Sequence, residues 1–104
     1  MQLTRETVAV VTGAGSGIGS ALADAFAAAG CSLVLADVQD DALAAAEDRI
    51  AASGVATLAA RVDVSKPEQL EELAAATIER FGHVHVLCNN AGVVASGDPW
   101  FGGI

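Results

Sequence analysis

The sequence contains no tyrosine, one tryptophan and a single lysine, Lys66. Aromatics make up 4% of it (Phe26, Phe81, Trp100 and Phe101), so any core must be built from aliphatic side chains. Cations are equally scarce: 5 against 13 acids leave a formal charge of −8. A chain this acidic cannot offer the basic patch that a nucleic-acid backbone or an anionic membrane surface attracts. No unbroken run of large apolar residues approaches the ~20 positions a membrane span needs. The opening Met-Gln-Leu-Thr-Arg-Glu-Thr also lacks the basic-then-apolar order of a secretion signal. With only Cys31 and Cys88 there is no disulfide framework, and both sit in apolar runs. They are expected as buried free thiols in a reducing cytoplasm. His83-x-His85 has no companion cluster of ligating residues, so no metal site is expected.

What is present is a regular switching of hydrophobic period over 104 residues, the length of one domain. Of the 53% hydrophobic content, 23 residues are alanine, so the large aliphatic content is ordinary. Residues 7–11 are a β-branched run expected as a strand covered on both faces. Ile18, Leu22, Ala25, Phe26 and Ala29 then recur at helical spacing, with Gly30 as the stop. Residues 32–37 form a second strand. In residues 40–53, Leu43, Ala46 and Ile50 share a helical face, and Asp40 and Asp41 suit the positive end of its dipole. Residues 56–62 are strand three. Ser65-Lys66-Pro67-Glu68 has capping-box spacing, and Leu70, Leu73, Thr77 and Phe81 line the helix that follows. Residues 84–88 are strand four. Strands alternating with helices predict a doubly wound, Rossmann-like α/β fold with parallel strand order 3-2-1-4 and three helices. Left uncovered, strand four (Val84, Val86, Leu87) would be an apolar edge inviting self-association.

Between the first strand and first helix lies Thr12-Gly13-Ala14-Gly15-Ser16-Gly17-Ile18-Gly19. A turn this tight needs residues tolerant of positive φ, and a diphosphate needs backbone N–H groups without Cβ atoms in the way. Gly13 would start the turn, Gly17 would admit the diphosphate, and Gly19 would let the helix approach the strand. The other reading is a sterically required loop of a structural protein. No lysine lies near enough for a P-loop, and Gly-x-Gly-x-x-Gly fails because Ile18 falls at its third glycine.

At this point the chain resembles the classical branch of the short-chain dehydrogenase/reductase family. The resemblance rests on Thr12-Gly13-x-x-x-Gly17-x-Gly19, on Asp63-Val64 after the third strand, and on Asn89-Asn90-Ala91-Gly92 after the fourth. It spans nearly the whole chain but only the first part of a family member. Residues 1–104 are thus expected to be a truncated nicotinamide-dinucleotide-binding domain. Asp37, 18 positions beyond Gly19, is close to the ~20 expected for the acid that grips the adenosine ribose. Its carboxylate accepts from ribose hydroxyls and repels a 2′-phosphate, and Ser16, Val38 and Gln39 are uncharged. NAD is therefore expected over NADP. The alternative for Asp37 is an acid at the start of the next helix.

The resemblance further implies that Asp63 accepts from the adenine amino group and that Val64 adds its backbone and an apolar contact. It implies that Asn90 braces the sheet centre, with Ala91 and Gly92 against the adenosine side. From the residues alone, Asn-Asn-Ala-Gly could be only a turn. Family members transfer hydride between the dinucleotide and an alcohol or carbonyl substrate, using a tyrosine, a lysine four positions later, a serine and an asparagine. This chain has no tyrosine, and Lys66 and Ser96 come too early, so no catalytic residue is expected here. Coding sequence past Ile104 is expected to carry an asparagine-bearing helix and then Tyr-x-x-x-Lys. The competing readings are a non-catalytic nucleotide-binding module or remnant, and a structural domain that binds nothing.

Overall fold

All five residues of the first strand, Val8–Thr12 (β1), are buried. The computed structural model of the chain describes residues 3–15 and 17–89, and within them β1 is one of the two inner strands of the sheet. After it come Gly17–Ala28 (α1), Ser32–Asp37 (β2), Asp40–Ala52 (α2), Thr57–Arg61 (β3), Pro67–Phe81 (α3) and Val86–Asn89 (β4). The strands pair in the expected order β3-β2-β1-β4, each pair parallel.

Side chains alternate between the two faces of the sheet, as a strand's period of two requires. Ala9 and Val11 of β1 and Leu33 and Leu35 of β2 meet Ala23 and Ala27 of α1 and Leu43, Ala46 and Ile50 of α2. On the other face Val8, Val10, Val34 and Ala36 meet Leu73 of α3, with Leu70 and Phe81 packed alongside. The faces predicted for α2 and α3 are the ones the structure buries.

The predicted face of α1 is not. Ile18 is 73% exposed, Ala25 and Ala29 are exposed, and the buried residues are Gly19, Ala23 and Ala27. These small residues lie four apart, on one side of the helix, and bring its backbone close to the sheet. Close approach, rather than side-chain size, selects the face, and Leu22 and Phe26 become its half-buried flanks.

A second difference lies at the start of α3. The N-cap is Lys66, with no side-chain cap bond, and Pro67 opens the helix. Proline's fixed φ suits the first helical position, so the helix begins one residue later than the predicted box requires. The hydroxyl of Ser65 is instead donated to Asp63 Oδ1 at 2.6 Å.

At the opposite end of β4, His85 is bolted to β1: its N–H donates to the Val8 carbonyl (3.0 Å) and its Nδ1 accepts from the Val8 N–H (2.9 Å). Cys31 is buried and Cys88 half-buried, both as free thiols, and burial pushes both thiols up from their ordinary pKa. Val84 and Leu87 are exposed beside the β4 edge.

The layered core predicts a sharp contrast between two isoleucines. Ile50, 1% exposed under the sheet, should cost about 2–5 kcal/mol when changed to alanine. Ile78, 49% exposed, should cost under about 0.5 kcal/mol. Urea denaturation of the two variants measures this, and equal losses would contradict the packing described.

Candidate functional site

Parallel strands end on the same side of a sheet, so the ends of the four strands among the described residues gather at one edge. Thr12, Asp37, Arg61 and Asn89 are the last residues of their strands. The register sets Thr12 beside Asn89 and Asp37 beside Arg61. The glycine-rich segment begins at this edge, and the Ala14 N–H donates to the carbonyl of Ala36 (3.1 Å), tying it to β2.

Gly13 and Gly17 adopt φ of +62° and +51°, the left-handed region that side chains other than glycine's rarely enter. Beyond its own helix turn and chain neighbours, a Cβ added at Gly17 would meet no atom of the described residues within 4 Å. Gly15 is glycine for the opposite reason. A Cβ there would lie 2.6 Å from Ala42 Cβ and 3.0 Å from Asp37 Oδ2. That closeness lets the Gly15 N–H donate to Asp37 Oδ2 at 2.9 Å, while the Gln39 N–H donates to Oδ1 at 3.0 Å. Asp37 is only 7% exposed, and these two amides satisfy a carboxylate that burial would otherwise penalise. It therefore serves the glycine loop as well as the approach to α2, whose N-cap is Gln39.

The end of β3 forms a second part of the site. Val38, Arg61, Asp63, Lys66 and Gln69 line a cavity of about 300 Å³. Arg61 Nε donates to the Val38 carbonyl (3.1 Å) and lies 3.5 Å from Asp40 Oδ1, an exposed pair worth little by itself. Asp63 Oδ1 accepts from both the Ser65 hydroxyl (2.6 Å) and the Ser65 N–H (2.9 Å). The Asp63 N–H donates to Gln69 Oε1 at 2.8 Å. Val64 is half-buried and packs against the core layer beneath α3.

Of the residues predicted for the site, the structure brings Gly13, Gly17 and Asp37 to one edge and places Asp63 on the neighbouring cavity. Gly19 is buried in α1, and Ile18 lies exposed on its first turn. Ser16, Asn90, Ala91 and Gly92 lie outside the described residues. The sequence reading missed Gly15, signalled by the extra glycine inside Gly13-x-x-x-Gly17. It also missed Asn89, whose Oδ1 accepts from the Thr12 hydroxyl at 2.7 Å, and the Ser65 and Gln69 partners of Asp63. Among the described residues no group of three or more His, Cys, Asp or Glu is placed to hold a metal ion, and no helix is long and apolar enough to cross a membrane.

A family model described as short chain dehydrogenase matches residues 7–100. The 1-deoxy-11-beta-hydroxypentalenate dehydrogenase of Streptomyces avermitilis is 46% identical over 88 residues, covering 85% of this chain and 33% of that protein. The 7alpha-hydroxysteroid dehydrogenase of Escherichia coli is 42% identical over 84 residues, covering 81% and 33%. Among solved structures, a short chain dehydrogenase/reductase from Burkholderia phymatum in complex with NAD superposes with a TM-score of 0.86 at 48% identity. That alignment covers 96% of this chain and 35% of the other. The chain thus spans about a third of the length of the relatives it matches.

The geometry at Asp63 has a consequence that pH reveals. The Ser65 hydroxyl first, and the Ser65 N–H second, hold its carboxyl below the ordinary aspartate value, with smaller attractions from Lys66 and Arg61. A carboxyl whose pKa is lowered on folding stabilises the fold fully above its unfolded value of about 3.9. That contribution is lost as pH falls through the lowered folded value. Carbon-detected NMR titration should find Asp63 below the ordinary range, and Ser65→Ala should move it back up. An unshifted Asp63 in the unaltered chain would contradict the bonding described.

Proposed function

The chain belongs to the short-chain dehydrogenase family, and on that footing we propose that residues 1–104 form the nucleotide-holding part of an NAD-dependent oxidoreductase. One observation carries the reading: the Asp37 carboxylate, buried at a strand's carboxyl end, is bonded to the glycine loop that opens α1. Open α/β sheets bind ligands at such an edge, and a helix start offers unpaired N–H donors and partial positive charge to a diphosphate. The residues present fit a dinucleotide: Gly17 leaves space where a Cβ would stand, and Asp37 supplies an acceptor for ribose hydroxyls.

In this reading Gly13, Ser16, Gly17, Ile18 and Gly19 surround the diphosphate. Asp37 holds the adenosine ribose, Asp63 and Val64 meet the adenine, and Asn90, Ala91 and Gly92 complete the adenosine side. When bound, the dinucleotide supplies hydride transfer at its nicotinamide toward an alcohol or carbonyl substrate of the longer protein. This chain's residues bind and orient it. With no tyrosine in the sequence, the chain alone holds the nucleotide without turning it over. The setting proposed is the cytoplasm, in keeping with two free thiols.

NAD is preferred over NADP because a 2′-phosphate would be brought against the Asp37 carboxylate, a like-charge contact. Of the two cations on the neighbouring cavity, Arg61 and Lys66, the former has its Nε on the Val38 carbonyl and near Asp40. Titrating both dinucleotides should give NAD at least about tenfold tighter, a difference of about 1.4 kcal/mol, with Asp37→Ala narrowing the gap. Tighter NADP binding by the unaltered chain would overturn the preference. The exposed Val84 and Leu87 beside β4 are further proposed to drive self-association of the isolated chain. Light scattering should show mass rising with concentration, and a concentration-independent monomer would refute it.

A further inference from the structure

The turn between β3 and α3 is built around one residue. Three separate bonds fix Asp63: its N–H to Gln69 Oε1, and its Oδ1 to the hydroxyl and N–H of Ser65. Its carbonyl accepts from the Lys66 N–H at 3.0 Å. Its second carboxylate oxygen, Oδ2, takes no hydrogen bond from the described residues.

Gln69 is the third helical residue of α3, counted from Pro67. From that position a glutamine ordinarily reaches back to the N-cap N–H. Here it reaches three residues further, to the Asp63 N–H, so the helix start spends its side chain on the turn. Ser65, placed to cap the helix by sequence, likewise turns its hydroxyl onto Asp63. Both groups that could have capped α3 are therefore spent on Asp63, Ser65 on its carboxylate and Gln69 on its backbone N–H, at the wall of the 300 Å³ cavity.

We propose that Gln69 and Ser65 are positioning residues of the base subsite. They hold Asp63 so that its free oxygen accepts from the 6-amino group of an adenine and disfavours a 6-oxo purine. The proposal rests on the nucleotide reading above. An ionised carboxylate only accepts, so an exocyclic amine completes it, whereas the carbonyl oxygen of hypoxanthine sets acceptor against acceptor. A site that places such a group rigidly discriminates, because the wrong partner leaves it unpaired at close range; a mobile side chain swings away and loses the distinction. The lowered pKa of Asp63 accords with this, since the Ser65 bonds keep the carboxyl ionised.

AMP and IMP share ribose and phosphate and differ at the purine, chiefly at the 6 position, so they separate base reading from the rest of the site. Amide NMR titration of the full chain should give AMP at least about tenfold tighter than IMP. Gln69→Ala and Ser65→Ala should each reduce that ratio to under about threefold, chiefly by weakening AMP, while Ser65→Thr, which keeps the hydroxyl, preserves it. A ratio unchanged in both alanine variants overturns the proposal. Equal weakening of AMP and IMP also overturns it, since the two residues would then support only the fold. If the unaltered chain binds both nucleotides alike, Asp63 does not read the base and the proposal falls while the nucleotide site stands. If it binds neither, the nucleotide reading itself falls. Should Gln69→Ala unfold, Ser65→Ala removes one exposed hydroxyl and decides the matter alone.

Discussion

The parallel pairing of β1 between β2 and β4 is the constraint on which the rest depends. A strand hydrogen-bonded on both edges and covered on both faces has no surface left for water, and Val8–Thr12 shows this in full burial. Parallel neighbours cannot be joined by tight hairpins, so each connection must cross over, and here each crossover carries a helix. Those helices in turn supply the two layers that bury the alternating faces of β1 and β2. Pairing, crossovers and layers are one requirement seen at three scales.

The same requirement builds the site. Because every strand runs the same way, every strand ends at the same edge, where the ladder stops and polar groups must find other partners. Thr12 bonds Asn89, Ala36 takes the Ala14 N–H, and Asp37 takes the amides of Gly15 and Gln39. These bonds satisfy the ends of a buried sheet and at the same time arrange the glycine loop and a carboxylate side by side. The close fit of Gly15 against Ala42 and Asp37 belongs to packing as much as to binding.

What could be seen in the sequence follows from how local each signal is. β2 was legible to the residue, since Ser32–Asp37 is a solid apolar run ended by an acid. The buried face of α2 was legible because Leu43 and Ile50 are the large apolar residues of an otherwise small or charged helix, with Ala46 between them on the same face. α1 was misread because its face is set by the nearness of β1, and Gly19, Ala23 and Ala27 announce themselves only when that neighbour is in place. The start of α3 was misread by one residue because Ser65 had two uses for its hydroxyl, and Asp63, two positions back, was the nearer. The left-handed backbone at Gly13 and Gly17 and the place of Asp37 at the end of β2 were readable from spacing. The roles of Gly15 and Gln69 depend on contacts at sequence separations of 22 and 6, which no local pattern encodes.

The two acids at the heart of the site share a further property. The chain carries eight more acids than cations, yet neither Asp37 nor Asp63 forms a salt bridge among the described residues. The salt bridges present lie elsewhere, Arg49 with Asp24 and Arg61 with Asp40, all exposed. Asp37 and Asp63 are instead held by backbone amides, a hydroxyl and their own turns. A guanidinium fork would neutralise a carboxylate. Amide and hydroxyl donors fix its position while leaving its charge in place, as the proposed contacts with a neutral hydroxyl or amine require. The proposed preference for a nucleotide's neutral groups over an added anion would thus rest on which donors the fold uses to hold its acids.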